Sequence, residues 1–382
     1  GHVRIYSWDG SAWTQVGNDI DAEASYDLSG SSVSIDSDGS HVAIGAYWND
    51  GNGSKSGHVR IYEYSSGSWS QVGNDIDGEA ASDNSGYSVS IDSDGSHVAI
   101  GAYLNDGNGS DSGHVRIYSW DGSAWAQVGN DIDGEAASDY SGSSVSIDSD
   151  GSHVAIGAYT NDGNGGDSGH VRIYSWDGSA WSKVGNDIDG EAYADQSGYS
   201  VSIDSDGSHV AIGAPTNDGT NSSDSSDERG HVRIYSWDGS AWNQVGSDID
   251  GEAASDNSGY SVSIDSDGSH VAIGAKYNGG GGPNAGHARI YSWDGSAWAQ
   301  AGNDIDGEAS GDYSGTSVSI DSDGSHVSIG AYLNDGNGSN AGHVRVFSAL
   351  ETNLTSNSLT TSGATTAGSL TVDSVVIDGT TI

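Results

Sequence analysis

The residues best suited to hold a metal ion lie in a short loop that recurs along the chain. The run Asn-Asp-Gly-Asn-Gly begins at Asn49, Asn105, Asn161 and Asn334. Amide and carboxylate oxygens on a glycine-flexible loop are ligands that Ca²⁺ prefers. The same residue types tolerate left-handed backbone, so simple turn chemistry is the alternative. The candidate calcium ligands are Asn49, Asp50, Asn52, Asp106, Asn108, Asp162, Asn164, Asp335 and Asn337.

Histidine and arginine recur at fixed places. Each of the 13 histidines opens a short segment, as His2, His41 and His58 do. Neighbouring antiparallel strands start at opposite ends of a sheet, so histidines of one repeat are expected to lie far apart and to serve packing. One arginine recurs in each copy of the segment Gly-His-Val-Arg-Ile-Tyr, as Arg4 does in the first copy. We predict that each arginine forms a structural ion pair with a carboxylate such as Asp36.

Sugar binding by tryptophan and enzyme catalysis are two further functions that the residues could suggest. Tryptophans such as Trp8 and Trp13 could stack on sugar rings, but packing across a hairpin explains them better. The chain has no nucleophile elbow, no His-Glu-x-x-His and no Walker loop. Nearly every polar group recurs in each copy, whereas an enzyme usually needs one asymmetric site. We therefore predict that the protein is not an enzyme.

A repeat of 56 residues, stretched once to 61, positions all of these residues. The phrase Gly-His-Val-Arg-Ile-Tyr begins at Gly1 and Gly57, and it alternates with Trp-x-x-Val-Gly, Ser-Val-Ser-Ile-Asp and His-Val-Ala-Ile-Gly. Four short alternating segments per period predict an all-β propeller of four-stranded blades. The arginine segment occurs seven times and the other three occur six times. We predict seven blades, with six as the alternative.

Alternation also predicts which side chains share a face of the blade. One face is expected to carry Val3, Ile5, Val33, Ile35, Val42 and Ile44. The other is expected to carry His2, Arg4, Tyr6, Ser34, Ala43 and Gly45. Both faces of a blade contact neighbouring blades, so the small residues would leave room for bulky side chains of the next one.

Composition removes several classes of partner. The formal net charge is −44, from 55 acidic and 11 basic residues, so nucleic acid and anionic membrane surfaces are excluded as partners. There is no cysteine and therefore no disulfide or thiolate site. No apolar run reaches the roughly 18 residues of a membrane span, so no membrane insertion is predicted. Since Gly1 stands in mid-repeat, we expect the chain to be a mature product or a fragment that lacks upstream residues.

With these motifs in view, residues 1–347 resemble the FG-GAP repeats of integrin-α-like seven-bladed propellers. In that family an aromatic-Gly pair precedes the first strand and Gly-Ala-Pro follows the second. Here the pair is Ser-Gly, and Gly-Ala-Pro occurs once, at 213–215. The family's calcium loop is incomplete, because Ser34 and Val42 stand where its first and last carboxylates belong. The resemblance implies extracellular ligand binding or adhesion, without a particular ligand.

Two loops depart from the repeat. The loop from Pro215 to Arg229 is enlarged, and the loop from Lys276 to Ala285 is rich in glycine. Insertions on a rigid scaffold often carry binding, although an exposed loop also tolerates drift. The candidate ligand-binding residues are Pro215, Asp218, Asp224, Asp227, Arg229, Lys276 and Asn278.

The composition changes at residue 348. Residues 348–382 are rich in Thr and Ser with interspersed Leu, Val and Ile, which predicts a short β-rich C-terminal tail. The run from Leu370 to Gly379 resembles fibrous segments of marine phage tail fibres, which commonly intertwine as trimers. We predict attachment or homo-oligomerisation through the tail, the alternative being a disordered or truncated end.

These observations predict a non-enzymatic recognition or adhesion module, located extracellularly on a cell surface or a virion fibre. Its expected partners are a cell-surface glycan, a protein receptor or identical subunits. Two other functions stay open: a structural building block of an extracellular appendage or fibre, and a calcium-dependent carbohydrate-binding propeller.

Overall fold

The structure of the chain is a computed structural model that describes residues 1–219 and 227–348. The regular secondary structure of these residues consists of β-strands. The described residues contain no helix of the length and apolarity needed to cross a membrane. Asp224 and the tail from 349 to 382 lie outside the described residues, so the predictions made for them stay predictions.

The thirty strands are numbered in chain order. They occupy four positions of a repeated blade, and five of the blades have an additional short strand. The first strands are β3 (Ser32–Ile35), β8 (Ser88–Ile91), β13 (Ser144–Ile147), β18 (Ser200–Ile203), β23 (Ser258–Ile264) and β28 (Ser314–Ile320). The second strands are β4 (His41–Ala46), β9 (His97–Ala102), β14 (His153–Ala158), β19 (His209–Ala214), β24 (His270–Ala275) and β29 (His326–Ala331).

The remaining strands form the outer half of each blade. The third strands are β1 (His2–Trp8), β5 (His58–Ser65), β10 (His114–Trp120), β15 (His170–Trp176), β20 (His231–Trp237), β25 (His287–Trp293) and β30 (His343–Ser348). The fourth strands are β2 (Trp13–Asp21), β6 (Ser68–Gln71), β11 (Trp125–Gln127), β16 (Trp181–Lys183), β21 (Trp242–Gln244) and β26 (Trp298–Gln300). The short strands are β7 (Ile76–Asp77), β12 (Ile132–Asp133), β17 (Ile188–Asp189), β22 (Ile249–Asp250) and β27 (Ile305–Asp306).

Within a blade the four strands pair antiparallel in sequence order, which confirms the predicted four-stranded unit. The short strand pairs with the start of the third strand, beyond the end of the fourth. In the first copy the fourth strand and the short strand are joined in one continuous strand, β2, which has a register shift between the positions opposite Val3 and Ile5. The fourth and short strands are therefore one edge strand interrupted by a bulge, a device that also discourages edge-to-edge pairing.

The propeller has six blades, so the preferred prediction of seven was wrong. Six first strands surround one axial cavity, and β28, β29 and β30 form the sixth sheet. The hairpin β1–β2 is a separate two-stranded sheet that packs on the first complete blade. Seven arginine strands therefore do not make seven blades, because the first copy contributes only the outer half of one.

One junction of the ring differs from the other five. The N–H of Ser37 donates to the carbonyl of Ser93 at 3.1 Å, and four equivalent bonds follow around the axis. Among residues 1–219 and 227–348, no such bond joins Ser322 to Ser37. At this junction Ile35 is 48% exposed, whereas the equivalent Ile147 is 7% exposed. We call this junction, between β28 and β3, the seam.

The core lies between blades, and its packing corrects the predicted faces. Ala43, Val59 and Ile61 of one blade pack against Val98 and Ile100 of the next. The register places Ala43 opposite Ile61 and Ile44 opposite Arg60. The third strand therefore presents its Val and Ile beside the small residues, and its Arg beside the bulky ones, the reverse of our expectation.

The tryptophans pack as predicted and also join adjacent blades. The rings of Trp120 and Trp125 lie across their hairpin with centroids 5.5 Å apart. Nε1 of Trp125 donates to the carbonyl of Val72 in the preceding blade at 2.9 Å. The indole of the fourth strand thus covers the outer part of the interface and has its one N–H donor satisfied.

Replacing Gly101 with Ala is expected to lower the free energy of unfolding by about 1–3 kcal/mol, the usual cost of overpacking. A Cβ at Gly101 would overlap the carbonyl oxygen of Gly142 in the next blade and Oγ of Ser88. Urea unfolding measures the effect. Gly279→Ala is the matched control, because a Cβ there meets no atom within 4 Å; an equal loss in both variants would contradict the close approach of the blades.

Candidate functional site

A paired aspartate and histidine occupies the hairpin between the first and second strands of every blade. The Asp follows the first strand and the His opens the second. The His Nδ1 lies 2.7 to 2.9 Å from the Asp Oδ2 in all copies. The Asp–His pairs are Asp36–His41, Asp92–His97, Asp148–His153, Asp204–His209, Asp265–His270 and Asp321–His326.

Several contacts fix each Asp–His pair. Asp92 is 2% exposed, its Oδ1 accepts the N–H of His97 at 3.0 Å, and Ser96 Oγ donates to its Oδ2 at 3.1 Å. The ring of His41 lies against Gly95 of the next blade, where a Cβ would come within 2.6 Å of the imidazole. The imidazole is thus held between its own hairpin and the neighbouring blade.

The electrostatics of the pairs favour base chemistry. The hydrogen bond that His97 makes to Asp92 raises the pKa of His97 above its ordinary value, and hydrogen bonds to Asp148 and Asp204 raise the pKa values of His153 and His209 in the same way. Since Nδ1 faces the carboxylate, Nε2 is the nitrogen left to exchange a proton. A carboxylate that orients and supports an imidazole in this way makes it a competent general base.

The hairpins that carry the pairs meet at one axial cavity, which we call the channel mouth. Its volume is about 230 Å³, the space of roughly eight liquid waters, and it is lined by the ends of all six first strands. Five of the paired aspartates, Asp92, Asp148, Asp204, Asp265 and Asp321, contribute to the lining. The hydrogen bond from Ser96 lowers the pKa of the nearby Asp94, so the mouth carries negative charge.

Tyrosines close the opposite end of the axis. Tyr87 directly precedes β8, whereas the channel mouth is formed where β8 ends. Ring centroids of Tyr87 and Tyr103 are 4.2 Å apart, and those of Tyr199 and Tyr260 are 4.9 Å apart. Burial raises the pKa of Tyr87 to about 12, which keeps the phenol neutral. The cavity is therefore accessible from the Asp–His end.

The arginines do not pair with the aspartates that we expected. Asp36 is engaged by His41, while Arg60 Nη2 donates to the backbone carbonyl of Asp21 at 2.9 Å. In the next blade Arg116 Nη1 lies 3.7 Å from Glu79 Oε1. The predicted partner was wrong because the register turns each arginine away from the first-strand carboxylates.

The Asn-Asp-Gly loops use their polar atoms in hydrogen bonds. Asn49 donates to Asp27 Oδ2 at 3.2 Å, and its Oδ1 accepts the N–H of Gly51 at 2.7 Å. Asp50 Oδ1 accepts the N–H of Lys55 at 2.8 Å. Asp106, Asp162 and Asp335 accept a backbone N–H in the same way. The amides of Asn52, Asn108 and Asn164 donate to backbone carbonyls, and the copy with Asn337 keeps the turn made by Asn334. These contacts are those of turns, and calcium binding at the loops stays a prediction.

The residues of the two irregular loops also have internal partners. Asp227 forms a 2.7 Å ion pair with Arg229, and Asp218 Oδ1 accepts a backbone N–H at 3.2 Å. Lys276 Nζ lies 3.4 Å from the centroid of the Tyr260 ring. Pro215 is buried, as is Asn278, which donates to Asp256 at 2.9 Å. Ligand binding by these residues stays a prediction.

A second histidine set gathers with two carboxylates, an arrangement that the sequence analysis missed. His58 opens β5, Asp75 precedes β7, and Glu23 follows β2 of the preceding copy. The His58 Nδ1 lies 3.9 Å from Glu23 Oε2 and 3.7 Å from Asp75 Oδ2. Only His–His pairs within a copy were considered from the sequence. The available signal was the spacing of these residues, because His precedes Asp by the same interval in all five copies and Glu precedes His by the same interval in all but the Glu191–His231 copy.

The Glu–His–Asp clusters are the same in five copies. They consist of Glu23–His58–Asp75, Glu79–His114–Asp131, Glu135–His170–Asp187, Glu191–His231–Asp248 and Glu252–His287–Asp304. Each histidine is buried, and burial lowers the pKa of His114 and His170 to about 4. The imidazoles are therefore neutral near pH 7.

Comparison with known proteins supports the repeat and the fold. The FG-GAP repeat family matches residues 20–62, 76–118, 132–174 and 305–347, which confirms that FG-GAP repeats are present. The search of curated proteins finds no match. The resemblance of the tail to phage tail fibres stays a prediction.

Solved structures share the architecture at low sequence identity. A periplasmic gluconolactonase from Pseudomonas aeruginosa is 12% identical with a TM-score of 0.58, over 90% of this chain and 87% of that chain. A putative 6-phosphogluconolactonase from Bacteroides uniformis is 12% identical with a TM-score of 0.57, over 89% of each chain. Hydrazine synthase from Kuenenia stuttgartiensis is 12% identical with a TM-score of 0.52, over 84% and 83%. At this identity the likeness shows the fold alone.

These structures correct our functional prediction. We expected a non-enzymatic recognition or adhesion module, because repetition of polar groups disfavoured a catalytic site. The propellers that resemble this chain include proteins named as lactonases, so the fold does not support that prediction. Repetition was a poor argument, because equivalent residues at the ends of all six first strands line a single cavity.

Proposed function

We propose that the protein hydrolyses uncharged lactones at the channel mouth. The observation that carries the proposal is an axial cavity lined by five aspartates, each of which holds the imidazole of a histidine on the same hairpin. Lactonases among the proteins of like fold, at 12% identity, favour the same reaction class. Each pair leaves an imidazole Nε2 free, which is the group that base-assisted hydrolysis requires.

The chemistry needs one water and one Asp–His pair. Nε2 removes a proton from the water as its oxygen attacks the lactone carbonyl carbon, and Asp stabilises the imidazolium that forms. The ring C–O bond then breaks, and the imidazolium returns the proton to the leaving oxygen, giving a hydroxy acid. Ser96 is not the nucleophile, because its Oγ contacts Asp92 and the Nδ1 side of His97.

Charge selects the substrate class. The chain carries a net charge of −44, and ionised carboxylates such as Asp94 stand beside the mouth. A phosphorylated lactone would be repelled, whereas a neutral lactone would enter, and its acidic product would be repelled after ionising. Glucono-δ-lactone is therefore the preferred probe over its 6-phosphate.

The test is release of acid from glucono-δ-lactone at constant pH, compared with the spontaneous rate in buffer. We expect acceleration that grows as pH rises through the raised pKa of His97, His153 and His209, because only neutral imidazole is a base. Changing all six paired histidines to Gln should reduce it by about 100-fold or more. These histidines are His41, His97, His153, His209, His270 and His326.

A matched control changes surface carboxylates of the outer hairpins to Asn, and it should keep the full rate. The control positions are Asp9, Asp121, Asp177, Asp238 and Asp294. A folded protein that does not exceed the rate in buffer would overturn the proposal. So would a six-histidine variant that stays as active as the parent.

A further inference from the structure

We propose that each of the five Glu–His–Asp clusters binds one divalent transition-metal ion of the zinc class. The proposal is independent of the hydrolytic function, because the clusters lie at the start of the third strands, away from the channel mouth. Three potential ligand atoms meet in each cluster within 4.8 Å of one another. Imidazole nitrogen and carboxylate oxygen are both common ligands of zinc.

The histidine supplies an observation that the carboxylates alone would not. His58 is 1% exposed, and its Nδ1, which faces Glu23 and Asp75, has no hydrogen-bond partner among the described residues. Nδ1 of His287 is likewise unpartnered and faces Glu252, whereas in His114, His170 and His231 the unpartnered buried nitrogen is Nε2. A buried polar atom without a partner costs free energy, and a bound ion would remove that cost.

The spacing fits an ion of this size. His114 Nδ1 lies 3.9 Å from Glu79 Oε2 and 3.8 Å from Asp131 Oδ2. Ligands about 2.1 Å from a tetrahedral zinc stand roughly 3.4 Å apart. Each imidazole–carboxylate distance therefore has to shorten by only a few tenths of an ångström, and the two carboxylate oxygens, which lie within 4.8 Å of each other, also have to approach. The two carboxylate side chains are 45% and 31% exposed, which leaves a path for the ion and room for a water as fourth ligand.

The neighbouring arginine does not fill the site. Arg116 Nη1 approaches Glu79 Oε1 at 3.7 Å, while Oε2 of the same carboxylate is the oxygen turned to His114. Calcium is disfavoured, because it takes six to eight oxygens and the cluster offers two carboxylates and one nitrogen. The donor set therefore selects a borderline transition-metal ion.

The sixth blade provides an internal comparison. His343 Nδ1 lies 3.6 Å from Glu308 Oε2, but no third ligand joins them in the part of the chain that the structure describes. His343 is also 24% exposed at its side chain, whereas His114 is 1% exposed. We therefore expect five tight sites in each chain.

The experiment dialyses metal-free protein against Zn²⁺ and counts bound zinc by atomic emission. Changing the five cluster glutamates to Gln should lower the count by five, and Glu79→Gln alone should lower it by one. The five are Glu23, Glu79, Glu135, Glu191 and Glu252. Co²⁺ in place of Zn²⁺ should give the visible absorption of tetrahedral cobalt in the parent protein and lose it in the five-site variant.

The five-copy Asp→Asn control described for the lactonase assay removes the same charge and should bind as much zinc as the parent. The cluster glutamates are 42 to 46% exposed, so their replacement should leave the fold intact, which the melting curve checks. Equal zinc counts in the parent and the five-glutamate variant would overturn the proposal and assign the zinc to surface histidines. A parent that binds no zinc would overturn it as well.

Discussion

Replacing Ile147 with Ala is expected to lower the free energy of unfolding by about 2–5 kcal/mol, the usual cost of deleting a buried isoleucine side chain. Ile147 is 7% exposed and packs with Ile117 and Val115 of the preceding blade. The smaller side chain would leave a cavity at a close-packed junction. Urea unfolding, with the midpoint and slope measured together, gives the change.

The chain contains its own control for this prediction. Ile35 occupies the same position in β3 but lies at the seam, where it is 48% exposed. Ile35→Ala should therefore cost less than about 1 kcal/mol, because little apolar surface returns to water. If both variants lose the same stability, the seam is closed in solution and the contrast in burial is wrong.

Replacing Asp92 with Ala is expected to cost about 3 kcal/mol, because hydrogen bonds to a buried charged group are among the strong ones. The side chain of Asp92 is 1% exposed and accepts the N–H of His97, its Nδ1 proton and the hydroxyl of Ser96. Alanine would leave these donors without a partner in a partly buried hairpin. Thermal and urea unfolding measure the loss.

The equivalent carboxylate in the last blade makes the same hydrogen bonds at a more solvent-exposed position. Asp321 contacts His326 and Ser325, but its side chain is 39% exposed. Water can replace its hydrogen bonds, so Asp321→Ala should cost about 1 kcal/mol. A loss for Asp92→Ala no greater than for Asp321→Ala would show that burial does not strengthen the Asp–His pair.

The blade itself could be predicted from the sequence, because alternation and turn residues are local signals. Ser34 lies opposite Ala43 as the two short segments require. The faces of the third strand could not be predicted from the sequence. Ala43 pairs with Ile61 across a long loop, and the length of this loop varies between copies. Alternation fixes neighbours along a strand but leaves the register between strands open.

The candidate sites divide in the same way. Asp36 and His41 are five residues apart on one hairpin, yet the sequence suggested an arginine as the partner of this aspartate. The Glu–His–Asp clusters combine Glu23 with His58, residues of different copies that meet only after adjacent blades pack. Extracellular location, partners and the role of the tail depend on residues and conditions beyond the described blades, and they stay predictions.

The near identity of the blade interfaces has a consequence for how the chain reaches its native state. An interface such as that between Ile61 and Ile100 is repeated almost unchanged around the axis. A blade can therefore pack against a non-native copy almost as well as against its native neighbour. During refolding at high concentration, a blade from one molecule can insert beside a blade of another. Interlinked oligomers formed by exchange of whole blades should therefore accumulate as concentration rises, and dilute refolding should favour the single ring.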